Sequence, residues 1–336
     1  VAKIMFTSGS TGKQKGVIIP HRMLCSNVVA SAKIWPFMDD HPVIILDWLP
    51  WSHSLGGNHN FDLPLYNAGS LYIDSGKPTD KLFEQTVINY REVSPTCVTN
   101  VPLGFSMLVD ALEKDSALAE NFFRRIDILY YASASLPQHI WDRLKSLAEK
   151  YRDEEIPVLS GWGGTEMGPT GTKLHWIIDK AGMIGTPLPG TEVKLVPVGN
   201  RLELRMRGPN VTTGYLNMPD KTADAFDEEG FYCSGDAGEF VDPQRPELGL
   251  SFKGRLSENF KLVSGAWVDV GDLRLAVIAF ALWIGGFTFH TAVTLRVGGD
   301  IIGGLEQGYV TQAALGKLHG FALAMVLVAA LDNALH

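Results

Sequence analysis

Five short apolar runs, separated by stretches of helical periodicity, constrain this chain more than any other feature. The runs are VIILDWLP (43–50), SLYID (70–74), PTCVTNVP (95–102), IDILYYASA (126–134) and IPVLSGWG (156–163). They read as buried strands, bounded by Pro, Gly and Ser. Between them lie DKLFEQTVINYREV, from Asp80 to Val93, and PQHIWDRLKSLAEKYRDEE, from Pro137 to Glu155, with apolar residues at helical spacing. Pro137 stands where a proline is tolerated, at the helix start. This alternation predicts a layered α/β domain over residues 1–182, with a mostly parallel sheet covered by helices.

The texture changes twice. From about 183, GTPLPGTEVKLVPVGNRLELRMRGPNVTTGYL alternates apolar and polar residues with frequent Gly, Pro and Asn. It predicts a small antiparallel β subdomain over 183–252. Residues 253–274 form a connecting region, and 275–336 an apolar helical tail. Within that tail the 21 residues LAVIAFALWIGGFTFHTAVTL (275–295) contain no Asp, Glu, Lys or Arg. That length and purity make a transmembrane helix the expectation, against the plainer reading of buried helices. The later run FALAMVLVAAL (321–331) is too short to span.

Composition excludes some roles. A formal charge of −8 over 336 residues argues against sequence-independent nucleic-acid binding, which needs a basic face. Cys25, Cys97 and Cys233 have no paired spacing, which suits a reduced, cytoplasmic setting, with membrane contact only through 275–295. His53 and His59, six apart, match neither one helical face nor a common zinc pattern. The chain opens at Val1 with its first motif immediately following, and is expected to be cut from a longer protein.

That first motif, TSGSTGKQKG (7–16), packs hydroxyls at Thr7, Ser8, Ser10 and Thr11 with Gly9, Gly12 and Gly16 and the cations Lys13 and Lys15. Glycines let backbone N–H groups turn toward an anion, and hydroxyls and lysines add donors and charge. A solvated turn and a phosphate cradle both fit this composition. Neither the Walker pattern nor the dinucleotide G-x-G-x-x-G can be laid over it.

Later motifs decide between them. GWGGTEMGPT (161–170) places Thr165 and Glu166 at the exit of an apolar strand, where ligands of α/β sheets bind. A hydroxyl beside a carboxylate suits a phosphate oxygen and its Mg²⁺, although a helix cap would look the same in isolation. FYCSGDAGEF (231–240) brings Asp236 out of a tight turn, and FKGRLSENFKLVSGAWVDVG (252–271) brings Arg255 and Lys261. Each alone is more often a surface residue.

In this order, and over residues 1 to about 275, these motifs resemble the adenylate-forming superfamily of acyl-CoA synthetases, acyl-AMP ligases and luciferases. The wording of LDWLPWSHSLGGNHNF (46–61), NVPLGFSMLV (100–109), ENFFRRI (120–126), RGPNVTTGY (207–215) and FDEEGFYCSGDA (226–237) looks most like feruloyl-CoA synthase and its close relatives. The resemblance implies an acid–thiol ligase acting through acyl-AMP on an aromatic, hydroxycinnamate-like carboxylic acid, with ATP, Mg²⁺ and coenzyme A. It assigns Thr7, Ser8, Gly9, Ser10, Thr11, Gly12 and Lys15 to the β- and γ-phosphates, Thr165 to the α-phosphate and Glu166 to Mg²⁺. Trp162 would stack near adenine, and Asp236 and Arg255 would bind the ribose. His53 would line the acyl site, where a hydrogen-bonded core histidine is the competing reading. Ser257 would be the hinge, in place of the usual charged residue, and Lys261 would serve the thioester step.

The text after 275 is unlike the small C-terminal domain of that superfamily. Lys317, in ALGKLHGF, lacks the expected preceding proline and is not assigned the adenylation lysine's role. The part expected before the opening loop is also missing, so the chain as it stands is expected to be badly impaired in adenylation. A join or fusion accounts for the tail better than a frameshift. Two other readings remain: an acyl-AMP ligase loading a carrier protein, and a non-catalytic, membrane-tethered nucleotide- or acyl-binding module.

Overall fold

The chain was described by a computed structural model covering residues 1–7 and 14–256 in full, with backbone alone for 259–261 and 267–269. Most of the phosphate-loop assignments (Ser8 to Gly12), the hinge Ser257, the side chain of Lys261 and the whole tail 275–336 lie outside the described residues. So does the expected membrane span, and among the described residues no helix is long and apolar enough to cross a membrane. The chain divides into two units, Val1–Asn259 and Phe260–His336.

The opening strands β1 (Lys3–Thr7) and β2 (Lys15–Ile19) pair antiparallel, with Thr7 opposite Lys15. Helices α1 (His21–Ile34) and α2 (Phe37–Asp40) follow. Strand β3 (Ile44–Asp47) leads to a π-helical turn, Leu55–Asn60, which continues into α3 (Phe61–Tyr66). Strand β4 (Ser70–Ile73) pairs parallel with β3. The chain then alternates: α4 (Phe83–Glu92), β5 (Cys97–Asn100), α5 (Pro102–Lys114), α6 (Ser116–Phe123), β6 (Ile128–Tyr131), α7 (Gln138–Tyr151) and β7 (Val158–Trp162). All five apolar runs form strands, each shorter than its run because the flanking Pro, Asp and Ser residues turn the chain, but β4 is not buried as expected: Tyr72 and Ile73 are exposed.

Helix α7 shows why the alternation holds. Ile140, Trp141, Leu144, Leu147 and Ala148 are its buried residues, one stripe facing the sheet, and the indole of Trp141 donates to the carbonyl of Val158 on β7. Helix α5 starts with Pro102, and α6 is capped by Asp115, which accepts the Leu118 N–H at 3.0 Å. These helices and β5–β7 close a core containing Phe105, Leu112, Phe122, Phe123, Leu129 and Leu144.

The sheet is mixed rather than mostly parallel. Strands β5, β6 and β7 are parallel. Then β8 (Thr172–Lys173) reverses direction, and β9 (Met183–Pro187), β10 (Glu192–Val198), β11 (Arg201–Arg207), β12 (Tyr232–Phe240) and β13 (Leu250–Arg255) add antiparallel partners. Among the described residues the order is β10-β11-β12-β13-β9-β8-β7-β6-β5, one sheet of nine strands. The text that changes at 183 thus continues the sheet across β8 and β9. Helix α8 (Pro219–Asp224) lies between β11 and β12 in sequence. The short strands β14 (Asn259–Lys261) and β15 (Trp267–Asp269) form a two-stranded sheet of their own.

The junction is tight. Gly185 on β9 has φ +77°, and a Cβ there would stand 2.1 Å from the carbonyl carbon and oxygen of Lys173 on β8. Gly185→Ala should therefore cost about 2–4 kcal/mol, from the left-handed backbone and the clash together. A fall in the urea midpoint with an unchanged slope checks it; an unchanged midpoint would mean the junction is looser than these distances.

Candidate active site

The strand exit of β7 builds the site. After Trp162 the chain passes Gly163 and Gly164 into a 3₁₀ turn, Thr165–Met167, then Gly168 in the left-handed region (φ +72°). A Cβ on Gly168 would meet the Met23 side chain at 2.7 Å and the Asn210 carbonyl at 2.8 Å. The turn is pinned from outside: Thr212 donates its N–H to the Glu166 carbonyl at 2.9 Å. The Asn210 amide donates to the carbonyls of Met167 and Thr170 (3.1 and 3.0 Å), and the Asn27 amide to Thr170 at 2.6 Å. Glu166 is thereby held at the rim, half-buried.

Tyr215 ties this rim to the opening motif. Its hydroxyl donates to Glu166 Oε1 at 3.0 Å and accepts from Lys15 Nζ at 3.1 Å, and that ammonium also sits 4.3 Å from the centre of the Tyr215 ring. Burial, then the Glu166 charge, pushes the Tyr215 phenol well above its ordinary range, so it stays a donor to the carboxylate. Backbone pairing fixes the register: Val17 bridges Tyr215, and Leu216 donates its N–H to the Gly16 carbonyl at 2.8 Å. The structure thus brings together Lys15 and Glu166, two residues expected from the sequence, through a third that was not.

A second constellation lies on β12 and β13. Asp236, only 5 % exposed, accepts the Trp162 indole N–H on Oδ2 at 2.8 Å. Its Oδ1 lies 3.0 Å from Arg255 Nε, paired by the antiparallel register, yet makes no hydrogen bond among the described residues. Burial raises the Asp236 carboxyl above its ordinary value, opposed by the Trp162 bond and the exposed Arg255. Trp162 itself is buried, packed with Met167, Leu204 and Met206. It therefore orients Asp236 through its N–H. Thr7 Oγ1 at the end of β1 is likewise buried without a partner among the described residues. Asp236 Oδ1, ion-paired with Arg255 but without a hydrogen bond among the described residues, suits a ribose hydroxyl, and the Thr7 hydroxyl suits a phosphate oxygen. A single half-engaged carboxylate at Glu166 fits Mg²⁺, which takes few protein ligands beside phosphate oxygens.

His53 is exposed just before the π-helical turn, with Nδ1 accepting the Leu55 N–H at 3.2 Å. The turn itself is wholly buried and carries the polar residues Asn58, His59 and Asn60. Sequence reasoning weighed His59 only as a metal ligand. It stacks on Tyr130 (centroids 5.2 Å apart, 11° between planes) and accepts from Lys173 Nζ on Nε2 at 2.9 Å, so Nδ1–H is left to donate to Asn60 Oδ1 at 2.9 Å. Lys173 is wholly buried, donates to Ser31 Oγ at 2.8 Å and stands 3.9 Å from the Trp35 ring centre. Burial lowers it from its ordinary 10.5 to about 7, and burial also holds His59 neutral. Neither residue has a local sequence signal, since the partners come from α1, the π turn and β6.

The profile of the AMP-binding enzyme family matches residues 1–216. Malonate–CoA ligase of Arabidopsis thaliana is 27% identical over 257 residues, 70% of this chain and 40% of that protein. Long chain acyl-CoA synthetase 8 of Arabidopsis thaliana is 27% identical over 336 residues, 82% of this chain and 45% of that one. The solved malonyl-CoA ligase ternary product complex with methylmalonyl-CoA and AMP superposes with a TM-score of 0.63 at 28% identity, covering 82% of this chain and 57% of that one. The chain spans about half the length of these relatives.

Lys173 gives a pH-dependence with a definite sign. Below about pH 7 it is protonated folded and unfolded alike; between about 7 and 10.5 only the unfolded chain keeps the proton. Stability should therefore rise with pH across that window, by up to ~1.4 kcal/mol per pH unit from this group. Urea titrations from pH 6.5 to 9.5 should show the rise in the parent and a flatter profile in Lys173→Met. Parallel profiles would mean that Lys173 keeps an ordinary affinity for its proton.

Proposed function

Because the chain belongs to the AMP-binding enzyme family, we propose that it is the core of an ATP-dependent acid–thiol ligase that forms acyl-AMP and then an acyl-CoA thioester. The observation that carries this reading is the Lys15–Tyr215–Glu166 bridge, which joins a cation beside the opening motif to a carboxylate at the strand exit. In the first step a substrate carboxylate oxygen attacks the α-phosphorus of ATP and the bond to the β-phosphate oxygen breaks, releasing pyrophosphate. In the second, the sulfur of coenzyme A attacks the acyl carbon and AMP leaves. A free carboxylate is a poor electrophile, and adenylation supplies the leaving group it lacks.

The protein's part is positioning and charge stabilisation. Lys15, with Thr7 and the Ser8 to Gly12 segment, would hold the β- and γ-phosphates, and Thr165 the α-phosphate. Glu166 would hold Mg²⁺, which when bound offsets phosphate charge. Asp236, oriented by Trp162 and backed by Arg255, would accept hydrogen bonds from the ribose hydroxyls. Lys261 is assigned to the thioester step. For the acid we propose an aromatic substrate of the hydroxycinnamate kind, supported by the feruloyl-CoA-synthase-like wording of residues 46–61 and 100–109. The two Arabidopsis relatives above are named as ligases of malonate and of long-chain acyl groups.

ATP–pyrophosphate exchange over a panel of cinnamic, benzoic, dicarboxylic and fatty acids tests the reading, and CoA-thioester formation separates it from the loading of a carrier protein. Tyr215→Phe keeps the ring and removes the bridging hydroxyl. It should lower the residual exchange rate of the parent chain by ~10-fold, with little change in the urea midpoint, because it loosens the placement of both Lys15 and Glu166. An unchanged rate would remove the bridge from the mechanism.

A further inference from the structure

Asp236 stands in an irregular part of the sheet. Glu203 of β11 faces Ala237 of β12 and Arg205 faces Cys233, so one residue, Leu204, stands against Ser234, Gly235 and Asp236. Such a bulge re-aims a side chain, and it takes backbone groups out of the ladder that must find other partners. Two side chains provide them. Ser234 Oγ donates to the Leu204 carbonyl at 2.5 Å and accepts the Asp236 N–H at 3.0 Å. Glu203 Oε1 accepts the Gly235 N–H at 3.0 Å, at a turn whose φ of +70° favours glycine.

Glu203 lies where period-2 text would leave it exposed. In LELRMR it alternates with Leu204 and Met206 and shares a face with Arg205 and Arg207, yet it is only 5 % exposed. A carboxylate is costly to bury unless it is paired. Its second oxygen, Oε2, accepts from Arg205 Nε at 2.7 Å, and Arg205 Nη1 donates to Asp227 Oδ2 at 3.1 Å. Asp227 in turn accepts the N–H groups of Glu229 and Phe231 and pairs with Lys194 at 2.9 Å. The turn entering β12 and the bulge within it are thus fastened to one ionic chain that crosses β11 and β10. Both oxygens of Glu203 are engaged by the protein, so neither is offered to a ligand.

We infer that Glu203, together with Ser234, is a positioning residue for the nucleotide: by closing the bulge it aims Asp236 at the ribose hydroxyls without touching them. The inference rests on the assignment of Asp236 to the ribose made above. Trp162 and Arg255 hold the carboxylate itself, from β7 and β13. Glu203 and Ser234 hold the backbone that carries it. Burial is the main cause that raises the Asp236 carboxyl, and the Glu203 charge adds less than that of Glu166, so the part Glu203 plays is geometric. A ribose hydroxyl has one proton to donate in a narrow range of directions, and a carboxylate that swings away from it forfeits the bond.

Calorimetry on the full chain with ATP and with 2′,3′-dideoxy-ATP, each with Mg²⁺, gives a ratio of affinities that reads the ribose contacts alone. The parent should prefer ATP by ~10-fold or more, and Asp236→Ala should remove most of that preference. No ATP binding, no preference in the parent, or a preference that survives in Asp236→Ala removes the ribose assignment and this inference with it. With the assignment standing, Glu203→Met, similar in length but without an acceptor, should bring the ratio down to ~2-fold while dideoxy-ATP still binds at the parent level. Glu203→Gln, which keeps one acceptor oxygen for the Gly235 N–H, should retain most of the preference. Ser234→Ala should lower the ratio as well, and as the smaller change it decides the matter if Glu203→Met does not fold. A parent-like ratio in folded Glu203→Met or in Ser234→Ala overturns the inference. So does an equal loss of both nucleotides, which is what a merely structural role would give.

Discussion

The reversal of the chain between β7 and β8 is the constraint on which the rest of the site depends. Trp162 and Thr172 face each other across it, and the Gly171 N–H returns to the Trp162 carbonyl at 2.8 Å. Gly163 makes the approach feasible, because a Cβ there would lie 2.0 Å from the Pro169 carbonyl oxygen. The turn does two things at once. It lifts Thr165 and Glu166 to the exit of the last parallel strand, and it starts the antiparallel half that brings Asp236 back to the Trp162 indole. Thr172 locks the junction with its hydroxyl, accepting the Trp162 N–H at 3.2 Å and donating to the Ile184 carbonyl at 2.6 Å.

Around this turn the fold handles polar groups in two ways. Lys173 is buried but complete: Ser31, His59 and an aromatic face account for its ammonium, and its proton is weakly held. It offers nothing to a ligand and acts as a strut between β8, α1 and the π turn. Thr7 Oγ1 and both amide atoms of Asn58 are buried without a hydrogen-bond partner among the described residues, as are Ser94 Oγ, Thr99 Oγ1 and Asn210 Oδ1, while Asp236 Oδ1 has only its ion pair with Arg255. At ~1–3 kcal/mol per unmet group, such atoms are completed in a folded chain by an ordered water or by a ligand. The two lysines differ in the same way: Lys173 is wholly buried and completed by the protein, whereas Lys15 is half-buried and reaches Tyr215 at the rim.

Much of the parallel layer was legible because burial on both faces leaves a run of Ile, Val, Leu and Tyr with no polar alternation, as in IDILYYASA. The antiparallel half was legible as period-2 text. Its continuity with the parallel strands was not, since it depends on β8, whose two residues Thr172 and Lys173 carry no strand signature and place a lysine in the core. The same lysine shows the general difficulty. Only partners from α1, the π turn and β6 explain how a cation can sit there.

The site residues divide along the same line. Glu166 and Asp236 stand at strand ends beside glycine turns, a local arrangement that sequence can signal. Tyr215 sits in TTGY, text that reads as a turn, and acquires its role from the pairing of Leu216 with Gly16, two hundred residues away in the chain. Asn58 and His59 sit in GGNHN, where glycine-rich polar text suggests a surface loop. The π-helical turn buries them instead, because closing that turn needs Gly56 and Gly57 against the Leu49 to Trp51 backbone, where a Cβ on Gly57 would come within 2.0 Å of the Trp51 carbonyl oxygen. The glycines that look like flexibility are there for close packing, and that packing is what turns three polar side chains inward.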